Sequence, residues 1–244
     1  MNKHFKRIGA LALLLLALLC GLYLADEGYL ADETALAAMT QVDDAVRTVE
    51  VSGRTIAFIP AEPKAGLIFY PGGKVQPEAY APLMRACAER GMLCVLVKMP
   101  GNLAVLSPNA ADGIASRYPQ VDSWFIGGHS LGGAMAASYA AKHADELNGL
   151  ILLAAYSTAD LREMPLRVLS VYGSEDGVLN RASYAKNRAN LPEGFTEVVL
   201  AGGCHAYFGS YGAQKGDGTP TLSSGEQIRQ TAAQIAEFVF PHNP

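Results

Sequence analysis

Short apolar runs that break off at glycine or proline, with helical spacing between them, constrain this chain more than any other feature. Gly66-Leu67-Ile68-Phe69-Tyr70 stops at Pro71-Gly72-Gly73, and Leu93-Cys94-Val95-Leu96-Val97 follows a helical stretch that closes at Gly91. A continuous apolar run suits a strand buried on both faces, which in soluble proteins means a parallel sheet sandwiched between helices. The same reading places strands over 123–126, 150–153, 168–172 and 196–200. Helices are expected over 77–90, 108–118, 179–190 and 225–240, with one more directly after Ser130. Upstream, 45–51 and 54–60 alternate around Ser52-Gly53 and read as an antiparallel hairpin. The expected class is α/β: a mostly parallel sheet opened by that hairpin and covered by helices on both faces.

With 244 residues, half of them hydrophobic, the chain can bury one substantial core. A formal net charge of −4 with no basic stripe argues against nucleic acid as a partner. Lys3, Lys6 and Arg7 precede an uncharged, leucine-dominated run over 8–25, and Asp26 and Glu27 follow it. That polarity predicts a signal anchor over 1–27, a stalk or short helix over 28–44, and a catalytic domain over 45–244 outside the membrane. The expected location is therefore the cell membrane, single-pass. Cleavage after the small-x-small triplet Ala35-Leu36-Ala37 would instead release a secreted protein, but that triplet lies far beyond the apolar run. Three cysteines remain in the domain, an odd count with no zinc spacing, so neither a disulfide framework nor a metal is expected.

The chemistry concentrates at Gly128-His129-Ser130-Leu131-Gly132, between the strand Trp124-Phe125-Ile126-Gly127 and the small-residue helix that starts with Gly133-Ala134. This is a G-x-S-x-G turn in the strand-turn-helix setting that makes the motif meaningful. Such a turn exposes the Ser130 hydroxyl and directs the first helical N–H groups, beginning at Leu131, toward an oxyanion on an attacked carbonyl. Two later strands run into loops that supply partners in the order this chemistry requires. Gly173-Ser174-Glu175-Asp176-Gly177 offers an acid, and Gly202-Gly203-Cys204-His205 offers a base. The expected triad is Ser130, Asp176 and His205. Glu175 is the competing acid, and the G-x-x-D spacing favours Asp176.

With these motifs in order, the chain resembles the α/β-hydrolase superfamily over residues 46–240. More narrowly it resembles a bacterial group of lidless, often membrane-anchored members. The resemblance implies a serine hydrolase that cleaves carboxylic esters through an acyl-enzyme, with no metal or organic cofactor and a small-molecule or acylated substrate. Peptidase, thioesterase and acyltransferase chemistry share the triad, and a noncatalytic membrane-anchored binding protein is the alternative from another class. The resemblance also implies a second oxyanion donor after the third strand, at Gly73 or at Lys74. Only about a dozen residues separate the strands at 150 and 168, too few for a helical lid.

Several residues carry two readings. Lys74 and Lys98 each follow a strand, and either lysine is a solvated rim residue or a clamp for an anionic substrate. Tyr207 and Phe208 either tie down a surface loop or wall the substrate pocket. His129 reads as the variable residue of the turn, His143 as a helix-end cation, and Cys204 as a packed thiol rather than a nucleophile.

Overall fold

A computed structural model describes residues 28–51 and 53–241 of the chain. The expected anchor, 1–27, lies outside the described residues; among those described, no helix is long and apolar enough to cross a membrane. The strands are β1 (Val46–Val51), β2 (Thr55–Pro60), β3 (Ala65–Tyr70), β4 (Met92–Val97), β5 (Trp124–His129), β6 (Gly149–Leu153), β7 (Arg167–Gly173) and β8 (Thr196–Leu200). They form one 8-stranded sheet in the order β1-β2-β4-β3-β5-β6-β7-β8. β1 pairs antiparallel with β2, and β2 antiparallel with β4, while β3 to β8 run parallel to one another.

The pleat sends alternate side chains of each central strand into two separate cores. Leu67 and Phe69 of β3 pack with Leu83 and Met84 of α2 (Ala81–Ala88) and Ile235 of α5 (Ser224–Val239). Ile68 of the same strand, with Val95 and Ile126, packs under Ala136, Ala137 and Ala140 of α3 (Leu131–Ala140). α5 buries Ile228, Ala232, Ile235 and Val239, a helical stripe, and Ser223 caps it by accepting the Glu226 N–H. Two further helices, α1 (Glu33–Thr40) and α4 (Arg181–Asn187), complete the set of α-helices among the described residues.

Two segments depart from expectation. No α-helix forms over 108–118; successive turns end in a 3-10 turn at Ala115–Arg117. The buried Tyr70 hydroxyl donates to the Pro108 carbonyl at 3.0 Å and accepts the Ala111 N–H at 2.8 Å. Gly113 then takes a φ of +68°, so a side-chain bond and a left-handed residue replace the helical ladder. Helix formation over 77–90 is likewise split, into a 3-10 turn at Pro77–Tyr80 followed by α2.

The segment read as a stalk, 28–44, is docked on the domain. Tyr29 donates to Lys74 O and accepts from Gln76 N, each at 2.8 Å, and the Asp32 N–H donates to Ser210 O at 2.9 Å. Asp32 caps α1, Ala35 and Ala38 are buried, and Asp43 pairs with the buried Arg85 of α2. Between β6 and β7 the chain crosses in loops with no helical insertion, so the carboxyl ends of the strands stay open.

Candidate active site

Ser130 sits at the junction of β5 and α3 with φ 53° and ψ −123°, a conformation that side-chain-bearing residues avoid. The turn is this tight because helix and strand nearly touch. A Cβ on Gly132 would lie 2.2 Å from Pro71 O, and one on Gly128 would lie 2.6 Å from Gly132 C. Ser130 is fixed through its backbone, donating its N–H to Leu153 O at 2.9 Å and accepting the Ala134 N–H at 3.1 Å. The N–H of Leu131, in the first turn of α3, has no intrahelical acceptor.

The acid and base loops meet beside this turn. Asp176 is buried, and its Oδ1 accepts the N–H groups of Val178 and Leu179 at 2.9 and 2.8 Å. Its Oδ2 lies 2.9 Å from His205 Nδ1. An ionised carboxylate can only accept, so Nδ1 carries the proton and Nε2 is left as the basic lone pair. His205 Nε2 has no hydrogen-bond partner among the described residues. Ser130 and His205 line one cavity of about 340 Å³, with Leu131, Met135, Val178 and Leu179 among its apolar walls. Glu175 is exposed and accepts from the Ser174 hydroxyl, so Asp176 is the acid in contact with the histidine.

Two groups to which the sequence reading gave no positioning role hold this geometry. Asp217 accepts four backbone N–H groups: Gly177 at 3.1 Å in the acid loop, His205 at 3.1 Å and Ala206 at 2.8 Å in the base loop, and Gly218 at 2.9 Å. Partial burial raises its pKa, but the N–H groups of Ala206, Gly177 and His205 outweigh that and hold it below the ordinary carboxylate value. A charged residue set between Gly216 and Gly218 in the loop after His205 was the available signal.

The second group is the pair Tyr80 and His129. The fully buried Tyr80 hydroxyl accepts the Gly72 N–H at 3.0 Å and lies 2.7 Å from His129 Nδ1, so its own proton goes to that nitrogen. The His129 ring in turn packs 4.5 Å from the His205 ring. Burial pulls the His129 pKa well below its ordinary value, and the neighbouring His205 lowers it further. A neutral ring therefore faces His205.

The remaining expected residues fall as follows. The Lys74 N–H donates to Asn102 O at 2.8 Å, so of the two residues expected as oxyanion donors in that loop Gly73 is the candidate. A Cβ on Gly73 would lie 3.0 Å from Leu131 Cδ2, so the two candidate donor residues adjoin. Lys98 does not reach the cavity; it lies 2.8 Å from Glu50 and 3.1 Å from Glu78. The Glu50 bond, ahead of the Glu78 bond, raises its pKa despite some desolvation, and its charge is already matched. Phe208 is fully buried, 5.6 Å from the His129 ring, and half-buried Tyr207 packs on the same core. Both support the base loop from behind rather than walling the cavity. Burial pushes the Cys204 thiol up to about 12, which rules it out as a thiolate nucleophile.

Comparison with known proteins agrees with this architecture. The structure of TT1662 from Thermus thermophilus superposes with a TM-score of 0.58 at 20% identity, covering 80% of this chain and 98% of that one. Est1E from Butyrivibrio proteoclasticus gives 0.56 at 15% identity over 80% and 99%. A predicted CIB-like hydrolase from Thermoplasma acidophilum gives 0.53 at 15% identity over 79% and 97%. At such identities the likeness is one of fold. No curated protein matches the sequence. The family model for the alpha/beta hydrolases matches residues 66–229, which span the Ser130 turn and both partner loops, and the chain belongs to that family.

Proposed function

We propose that this protein is a serine hydrolase that cleaves carboxylic esters through an acyl-enzyme intermediate. The observation that carries the reading is the 2.9 Å contact between buried Asp176 and His205, with His205 and Ser130 on the wall of one cavity. His205 Nε2 takes the Ser130 proton as Oγ attacks the ester carbonyl, and the N–H groups of Leu131 and Gly73 receive the developing oxyanion. Collapse breaks the bond to the alcohol oxygen, which leaves with the proton from His205. Water then attacks the acyl-Ser130 carbonyl by the same route in reverse, releasing the carboxylic acid. Asp176 holds the Nδ1–H tautomer and stabilises the imidazolium formed in each half-reaction.

The apolar walls and the modest size of the cavity favour an acyl chain over a charged acid portion. We also read 1–27 as an uncleaved anchor that places the domain on the outer side of the cell membrane. The test is labelling by a fluorophosphonate together with turnover of p-nitrophenyl esters from acetyl to long acyl chains. Covalent modification at Ser130 and turnover that vanishes in Ser130→Ala are expected. A protein that neither reacts with the probe nor hydrolyses any ester of the series would overturn the reading.

A further inference from the structure

We infer that the Ser130 cleft opens onto the surface of a phospholipid bilayer, so that the ester it receives is drawn from the lipid leaflet. This rests on the reading of 1–27 as an anchor and goes further, because it fixes which end of the domain faces the lipid.

The first argument is the length of the tether. The apolar run ends at Ala25, and by Gly28 the chain is already against the oxyanion loop: a Cβ on Gly28 would lie 2.5 Å from Lys74 O. Three residues reach at most about 10 Å. From Gly28 onward the chain has no slack. Tyr29 bridges Lys74 and Gln76, Ala31 donates to the Gln76 side chain at 2.9 Å, and the Asp32 N–H reaches Ser210 in the loop after His205. The Tyr29 ring also packs 5.4 Å from Tyr211. A segment embedded in lipid up to Ala25 thus holds the carboxyl end of β3, where Gly73 and Ser130 lie, within a few residues of the headgroups.

The second argument is the rim itself. Of the large apolar side chains exposed among the described residues, Leu30 at 62%, Val105 at 44% and Leu106 at 61% lie on segments bonded to or following the oxyanion loop, and Leu36, Val42 and Val199 are the others. Leu30 follows Tyr29 on one side of the oxyanion loop. Val105 and Leu106 belong to the turn Ala104–Leu106 on the other side, three and four residues after Asn102, whose carbonyl accepts the Lys74 N–H. Exposed apolar side chains on the segments joined to the oxyanion loop suit insertion into the headgroup and acyl boundary of a bilayer. Lys98, at the end of β4, is matched by Glu50 and Glu78 and brings no uncompensated charge to this face. The tether and the rim put the cleft mouth and the acyl chains on the same side.

The experiment uses the full chain in phospholipid vesicles, with Cys20→Ala in the background because Cys87, Cys94 and Cys204 are buried. An environment-sensitive fluorophore is placed at Leu106→Cys or, as a control at the opposite strand ends, at Asp122→Cys. Quenching by lipids carrying a nitroxide near the headgroup is expected at 106 and not at 122. In a second arm, a twenty-residue Gly/Ser insertion between Asp26 and Glu27 is expected to slow hydrolysis of a vesicle-embedded long-chain ester by about tenfold or more, with a water-soluble ester unaffected. Failure of the chain to associate with vesicles, or equal quenching at both positions, overturns the inference. Energy transfer between labelled copies at 106 without lipid quenching would make the rim a contact between two chains and overturn it as well. The quenching arm needs no turnover, so failure of the ester hydrolase reading would appear separately, as loss of both ester activities.

Discussion

Replacing Asp217 by asparagine tests whether a carboxylate outside the proposed triad holds the acid and base loops together. Oδ1 accepts from Gly177, His205 and Gly218, and Oδ2 from Ala206. An amide oxygen in the Oδ1 position keeps the first three bonds without their charge. The NH₂ group then faces the Ala206 N–H, donor against donor. Hydrogen bonds to a charged group contribute about 1.5–3 kcal/mol and those between neutral groups about 0.5–1.5 kcal/mol, so three weakened bonds and one lost acceptor would cost about 4–7 kcal/mol if they were independent; sharing one carboxylate they are not, and a total of roughly 2–4 kcal/mol is expected. Solvent at the half-buried site pulls the figure toward the lower end. Urea denaturation at pH 7 measures it.

The pH dependence supplies a sharper test of the same idea. The folded-state pKa of Asp217 is held below its ordinary value, so its contribution is fully present above the unfolded pKa of about 4 and is lost as pH falls through the folded value. The stability gap between wild type and Asp217→Asn should therefore be constant above about pH 5 and shrink below pH 4. Because the loops carry Asp176 and His205, the variant should also lose kcat for a soluble ester with KM little changed, and a double-mutant cycle with Asp176→Asn should be non-additive. A gap independent of pH from 7 to 3, or strict additivity with Asp176→Asn, would refute the clamp.

Three further outcomes follow from the same contacts. Asp176→Asn should lower kcat by about 10⁴-fold through the wrong His205 tautomer, while Glu175→Gln stays near wild type; the reverse order in ester turnover would reassign the acid. Tyr80→Phe leaves the Gly72 N–H and His129 Nδ1 without their shared hydroxyl, and chemical denaturation should register a loss of about 1–3 kcal/mol. Lys98→Ala should change KM equally for acidic and neutral esters, because its charge is engaged by Glu50 and Glu78; a selective effect on acidic esters would restore it as a substrate clamp.

What the sequence made legible follows from which interactions are local. The strands could be read because burial on both faces leaves no room for polar residues, so 66–70 and 150–153 announce themselves. The order of Ser130, Asp176 and His205 could be read because each follows a strand, Ser130 and Asp176 after largely buried ones and His205 after the half-exposed edge strand β8. Contacts between distant residues left no comparable trace. The helical spacing over 108–118 gave no hint that the Tyr70 hydroxyl, 41 residues upstream, would take the Ala111 N–H. Lys98 looked available because Glu50 and Glu78 come to it from elsewhere in the chain. Which of the two readings of Phe208 holds, loop anchor or pocket wall, depended on the rings of His129 and His205 it packs behind, which sequence leaves unplaced. Asp217 sits in a glycine-rich loop whose path only the folded sheet determines.

The backbone angles of Ser130 set stability and chemistry against each other at a single residue. A side chain at φ 53° costs on the order of 1–3 kcal/mol, and glycine would relieve most of that strain while removing the hydroxyl. Any library of this protein sorted by thermal tolerance alone should accordingly enrich Ser130→Gly, and so collect molecules that are sturdier and inert. Screening for robustness in this fold has to be coupled to turnover, because one route to a more durable molecule runs through the loss of its proposed nucleophile.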